Sequence, residues 1–179
     1  MSHLTIPRVF RRLAGLAVLA GLALGCGSAA PVVTPPIAAG TADHPREVNI
    51  IAKDYTYLPS VVDLVPGETV LFHVVNGGLD VHEVVIGDGA VQAAWETAEA
   101  DVAAAGGPPG ATPTVSVPPG LEGLRVVVRS GQRIDVSWSV PPPPSAGARA
   151  TPLIVGCHIP GHWAKGMQVP IRFVAPVGG

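Results

Sequence analysis

The sequence predicts an all-β protein built as a β-sandwich, and three observations support this. In GETVLFHVV (67–75), Val70, Phe72 and Val74 alternate with Thr69, Leu71 and His73. In RIDVSWSV (133–140), Ile134, Val136, Trp138 and Val140 alternate with Arg133, Asp135, Ser137 and Ser139. A period of two is the mark of a sheet with one buried and one wet face. The third observation is compositional: 22 glycines and 20 prolines with only 13% charged residues favour short strands between many turns over long surface helices.

The elements follow in order. Arg8, Arg11 and Arg12, an apolar run from Leu13 to Leu24 and small residues around Cys26 form a positive n-region, an h-region and a cleavage region. The run is about half of the roughly 20 apolar residues needed to span a bilayer, so residues 1–26 read as a signal peptide. Leu22-Ala23-Leu24-Gly25-Cys26 resembles a bacterial lipobox with Ala23 at the usual leucine position. Two outcomes stay open, a lipid anchor on Cys26 and plain cleavage nearby. Removal of the three arginines leaves 8 basic side chains against 13 acidic ones, which argues against nucleic acid as a partner. Residues 27–45, proline-rich and aperiodic, read as a flexible tether. Residues 46–179 then form one domain.

Within it, EVNIIAKDYTYLP (47–59) and SVVDLVPG (60–67) supply early strands, LRVVVRS (124–130) a later one, and MQVPIRFV (167–174) the last. Pro170 marks that strand as an edge or bulge position. GAVQAAWETAEADVAA (89–104), rich in alanine and glutamate, predicts a helix, part of an insertion at about 89–120. Residues 105–120 and 141–151 are Pro/Gly-rich loops.

The chemistry concentrates in CHIPGHWAKGM (157–167), where a cysteine, a histidine and a methionine recur five residues apart. The only other cysteine, Cys26, belongs to the leader, so Cys157 has no disulfide partner. Thiolate and thioether are soft donors and imidazole is borderline; together they suit copper, whereas zinc prefers four strong ligands. The loop runs from the end of LIVGC to the start of MQVPIRFV, which lets three donors wrap one point. A fourth must come from elsewhere, and VVNGGLDVHEVVIGD offers His82 just beyond a strand.

This pattern resembles the cupredoxins, the small blue copper proteins. The resemblance runs from about Glu47 to Val174 and rests on the G-E-x-V-x-F-x-V-x-N run leading to His82 and on the C-x4-H-x4-M loop. It implies a Greek-key sandwich holding one type 1 copper, with His82, Cys157 and His162 as a trigonal set and Met167 as a long axial ligand. It also places Asn76 where a side chain steadies the two ligand loops. The implied function is one-electron transfer between redox partner proteins, without a small-molecule substrate and without enzymatic turnover. With the leader, this carrier is expected outside the cytoplasm, at the outer face of the cytoplasmic membrane.

Two other readings compete. Copper delivery or storage usually relies on Met/His clusters or C-x-x-C pairs, and this chain has only Met1 and Met167 and no such pair. A nitrite-reductase-like copper enzyme would use His158, beside the cysteine, for a second copper, but no H-x-H pair accompanies it. A binuclear centre of the oxidase-subunit kind needs two cysteines in the loop and is excluded. His158 is therefore expected at the surface or bracing the loop, Trp163 as an apolar rim on the His162 imidazole, and Glu83 in solvent.

Overall fold

The structure, a computed structural model, describes residues 36–106, 115–142 and 151–177. The leader with Cys26, the first part of the tether and portions of both Pro/Gly-rich loops lie outside the described residues. Nine strands are found among those described: β1 Arg46–Lys53, β2 Thr56–Leu58, β3 Val62–Leu64, β4 Thr69–Asn76, β5 His82–Gly87, β6 Leu124–Val128, β7 Arg133–Ser139, β8 Ile154–Gly156 and β9 Gln168–Phe173. One α-helix, α1 (Gly89–Ala104), lies between β5 and β6, and a single 3-10 turn spans Trp163–Lys165.

The strands form two sheets, ordered β2-β1-β4-β7 and β3-β9-β8-β5-β6. β1 runs parallel to β4 and β3 parallel to β9, while the other pairs are antiparallel. The inward residues of β4 (Val70, Phe72, Val74) and Ile50 of β1 meet Val84 and Ile86 of β5, Val155 of β8 and Val169 of β9 in one core. The period-two pattern thus serves its expected purpose, since each sheet turns its apolar face toward the other.

β5 breaks that pattern: all six of its residues are buried. Val84 and Ile86 face the sandwich core, whereas Val85 packs with Val91, Trp95 and Val115 beneath α1. The helix therefore forms a third layer on the outer face of this sheet. Alanine-rich composition gives it high intrinsic propensity. Asp88 caps it by accepting the N–H groups of Ala90 (3.0 Å) and Val91 (3.1 Å). Val91, Gln92, Trp95 and Glu99 are its buried side chains, spaced to share one face.

Two expectations are corrected. β9 is interior, between β3 and β8, so Pro170 is not on an edge strand. The proline is tolerated because β3 pairs only from Ile171 onward, and Ile171 itself donates to Leu153 on the β8 side (2.9 Å). Alternation along the strand points the missing Pro170 N–H to the side where β3 has not begun. The end of the expected tether, meanwhile, is docked. The Gly40 N–H donates to Glu68 Oε2 (3.2 Å), Thr69 N–H donates to the Gly40 carbonyl (3.0 Å), and Ile37 bridges Pro176. Buried Glu68 explains this, because it gathers Arg46 and the N–H groups of Gly40 and Val65 around one carboxylate.

Candidate metal centre

Parallel pairing of β1 with β4 brings the β1–β2 hairpin and the β4–β5 loop to the same end of the sandwich. His82 opens β5 there. Asn76, the last residue of β4, shapes the approach: its amide donates to the carbonyls of Asp80 (2.7 Å) and Val128 (3.0 Å), and its oxygen accepts the Gly78 N–H (2.8 Å). Its side-chain bonds steady the His82 loop and β6. The expected brace between both ligand loops is supplied instead by Glu83, whose carboxylate accepts the His158 N–H (3.0 Å).

Cys157 directly follows β8 and Met167 directly precedes β9. The Cys157 N–H donates to the Met167 carbonyl (3.1 Å), closing the loop at its base. The His162 N–H donates to Ile159 (2.9 Å), and the His162 carbonyl receives the N–H groups of Lys165 (3.1 Å) and Met167 (3.2 Å). Gly161 and Gly166 adopt φ of +87° and +85°, a left-handed conformation that side chains with a Cβ resist. These two glycines let a short loop turn His162 inward.

The result is a convergent cluster. His82 Nδ1 lies 3.3 Å from His162 Nδ1, which lies 3.3 Å from Cys157 Sγ. Ligand atoms of all three residues lie within 4.8 Å of one another, and all three side chains are buried. Met167 is fully buried in the same core cluster as Cys157.

Burial sets the electrostatics. It pushes the Cys157 thiol up to about 12; the backbone N–H groups of Glu83 and Ile159 and the Tyr57 hydroxyl oppose the rise, and the Glu83 charge adds to it. Burial also lowers the His162 pKa, with the neighbouring His82 adding to the effect, which disfavours the protonated imidazole. Lone-pair-bearing atoms gathered in a dry pocket are an arrangement that a cation relieves. One thiol and two imidazoles make a donor set that fits copper, and binding would displace the thiol proton.

Two residues at this centre were not anticipated from the sequence. Asp54, in the β1–β2 hairpin, has Oδ1 2.7 Å from His82 Nε2 and accepts the N–H groups of Leu79 (2.8 Å) and Asp80 (3.3 Å). The Leu79 N–H, followed by the His82 bond, holds its pKa below the ordinary aspartate value. Next to it, the Tyr55 ring meets His162 edge-on at 4.8 Å, its hydroxyl donates to Asp80 Oδ2 (2.7 Å), and Lys165 Nζ sits 3.4 Å over the ring. No motif signals these contacts; only the β1–β4 pairing brings residues so far apart in sequence together.

The expected rim on the His162 imidazole is therefore Tyr55 rather than Trp163. Trp163 instead stacks on His158, with centroids 4.8 Å apart and an interplanar angle of 24°. His158 is buried, not at the surface. Its Nδ1 lies 2.9 Å from Glu96 Oε2 and its Nε2 2.6 Å from Gln92 Oε1, both on α1, so both ring nitrogens are engaged. Glu83, expected in solvent, is fully buried: Arg125 Nε donates to its Oε2 (2.8 Å), and the His158 N–H donates to its Oε1 (3.0 Å). Gly156 permits this packing, because a Cβ there would lie 2.4 Å from Gln92 Oε1 and 2.7 Å from the Trp163 ring.

No family model and no curated protein matches the sequence. Solved structures do match. Reduced auracyanin from Roseiflexus castenholzii superposes with a TM-score of 0.54 at 18% identity, covering 72% of this chain and 96% of that one. Azurin from the methylotroph Methylomonas sp. strain J gives 0.53 at 16%, covering 72% and 98%. Auracyanin A, a "blue" copper protein from the green thermophilic photosynthetic bacterium Chloroflexus aurantiacus, gives 0.52 at 17%, covering 73% and 99%. The chain has the cupredoxin fold, and its buried His–Cys–His cluster lies within that fold.

Proposed function

We propose that this protein is a one-electron carrier holding a single type 1 copper through His82, Cys157 and His162, with Met167 as a weak axial ligand. The convergence of the Cys157 thiol and two imidazole Nδ1 atoms in a buried pocket carries this reading. Bound copper would supply a one-electron exchange between its cuprous and cupric states. The chain's own residues do the rest. β5, β8 and the loop ending at Met167 hold the donors in place, so little must reorganise when the charge changes. His82 and Cys157 are fully buried, which shields these two donors from bulk water.

Tyr55, partly exposed and edge-on against His162, offers a passage from the centre toward a redox partner. We further infer from the leader that the carrier works outside the cytoplasm, tethered by lipid at Cys26. No helix among the described residues is long and apolar enough to cross a membrane.

Adding cupric ion to the purified protein tests the reading. An intense blue colour with narrow copper hyperfine splitting in the paramagnetic resonance spectrum, bleached by one electron per chain, supports electron transfer. A pale, ordinary cupric spectrum supports copper handling instead. Two cupric signals with nitrite turnover would indicate an enzyme.

A further inference from the structure

Among the described residues, Asp54 is the acidic side chain within hydrogen-bond distance of a side chain of the His–Cys–His cluster. Its Oδ1 lies 2.7 Å from His82 Nε2, on the opposite edge of the ring from Nδ1, which faces His162. A carboxylate is an acceptor only, so the nitrogen it meets must carry the proton. In the neutral ring the other nitrogen is then bare. The surroundings are built to keep this pair together. Leu79 and Asp80 donate their N–H groups to the same carboxylate and orient it. Gly78 leaves the space it needs, since a Cβ there would lie 2.2 Å from Asp54 Oδ1 and 3.0 Å from His82 Nε2.

We propose that Asp54 is a positioning residue for the metal centre: it holds the His82 proton on Nε2 so that Nδ1 is free to ligate, and its negative charge behind the ring favours the cupric over the cuprous state. The second half rests on the copper reading above, while the first half does not. A carboxylate behind a ligating imidazole makes the ring a stronger donor, and loss of such a partner typically costs 10–100-fold in metal affinity. An anion near the metal also stabilises the higher charge more than the lower one. Copper shuttling between its two states would therefore be held at a lower potential than the same donors give without Asp54.

Two variants of the full-length protein separate the effects. In the metal-free wild type, nitrogen-15 resonance of the His82 ring should show the proton on Nε2; in Asp54→Ala that preference should be lost. Asp54→Asn is nearly isosteric and lacks the charge. With copper bound, its cupric affinity should fall by about tenfold or more while cuprous affinity changes less, and each tenfold difference raises the midpoint potential by about 59 mV for a one-electron couple. Thermal unfolding of Asp54→Asn close to wild type would confirm that the potential reports charge and not a damaged fold. An unchanged His82 tautomer in Asp54→Ala, or an unchanged potential in a folded Asp54→Asn, overturns the proposal. If the wild type takes up no copper, the copper reading fails, yet the metal-free measurement still decides whether Asp54 sets the tautomer.

Discussion

The backbone N–H of His158 donates to the buried Glu83 carboxylate across 3.0 Å, so the residues that follow two of the candidate ligands, Cys157 and His82, are tied directly to each other. The same carboxylate is paired with Arg125, whose other end reaches Glu99 on α1 at 2.6 Å. Arg125 also lies 4.5 Å over the Trp95 ring. The inserted helix is thereby fastened to the strand that carries His82. Glu99, pushed up by burial and by the Glu83 charge, is held in check by this guanidinium.

Arg125→Met tests that fastening. Removing one member of a buried ionic network strands the others, here two carboxylates under a helix, and such a loss costs about 3–5 kcal/mol. Denaturant unfolding of the metal-free protein should show a destabilisation of that size at neutral pH. An effect below about 1 kcal/mol would mean the network contributes little.

Met167→Leu should leave the fold nearly intact, because the two side chains have similar volume and such core exchanges usually cost less than about 1.5 kcal/mol. The blue colour should persist, since the thiolate and both imidazoles remain. The midpoint potential should rise, as the cupric ion loses a weak donor that the cuprous ion needs less. Voltammetry of the copper-loaded variant checks the direction. An unchanged potential would remove Met167 from the ligand set.

Acid sensitivity follows from Glu68. Burial pushes its carboxyl up, but the Arg46 pairing and the N–H groups of Val65 and Gly40 together outweigh this and hold it below its ordinary value of 4.5. A carboxylate with a lowered folded pKa contributes stability that is present above the unfolded value and is lost as pH falls through the folded one. Unfolding free energy should therefore drop as pH falls below about 4.5. Glu68→Gln should be less stable than wild type at neutral pH and show a flatter acid limb in a pH series of urea melts.

The parts of this protein legible in its sequence are those where local spacing carries the signal. β4, β7 and β9 alternate because their two faces meet different surroundings, and the Cys157–His162–Met167 spacing is local to one loop. β5 gave no alternation to read, since α1 buries its second face. The burial of Glu83 escapes the sequence for the same reason: its partners Arg125 and His158 are 42 and 75 residues away, under a helix whose docking no pattern announces. Asp54 and Tyr55 were invisible because only the parallel β1–β4 pairing carries their hairpin to the His82 loop. The docked end of the tether leaves no trace in composition, because Gly40 is held by a carboxylate 28 residues later.

Copper-edge X-ray absorption of the loaded protein tests the central claim most directly. The account predicts a copper shell of one short sulfur and two imidazole nitrogens, with the short sulfur lost in Cys157→Ser and one nitrogen lost in each of His82→Ala and His162→Ala. A shell of oxygens and nitrogens without sulfur, or one that Cys157→Ser leaves unchanged, would contradict it.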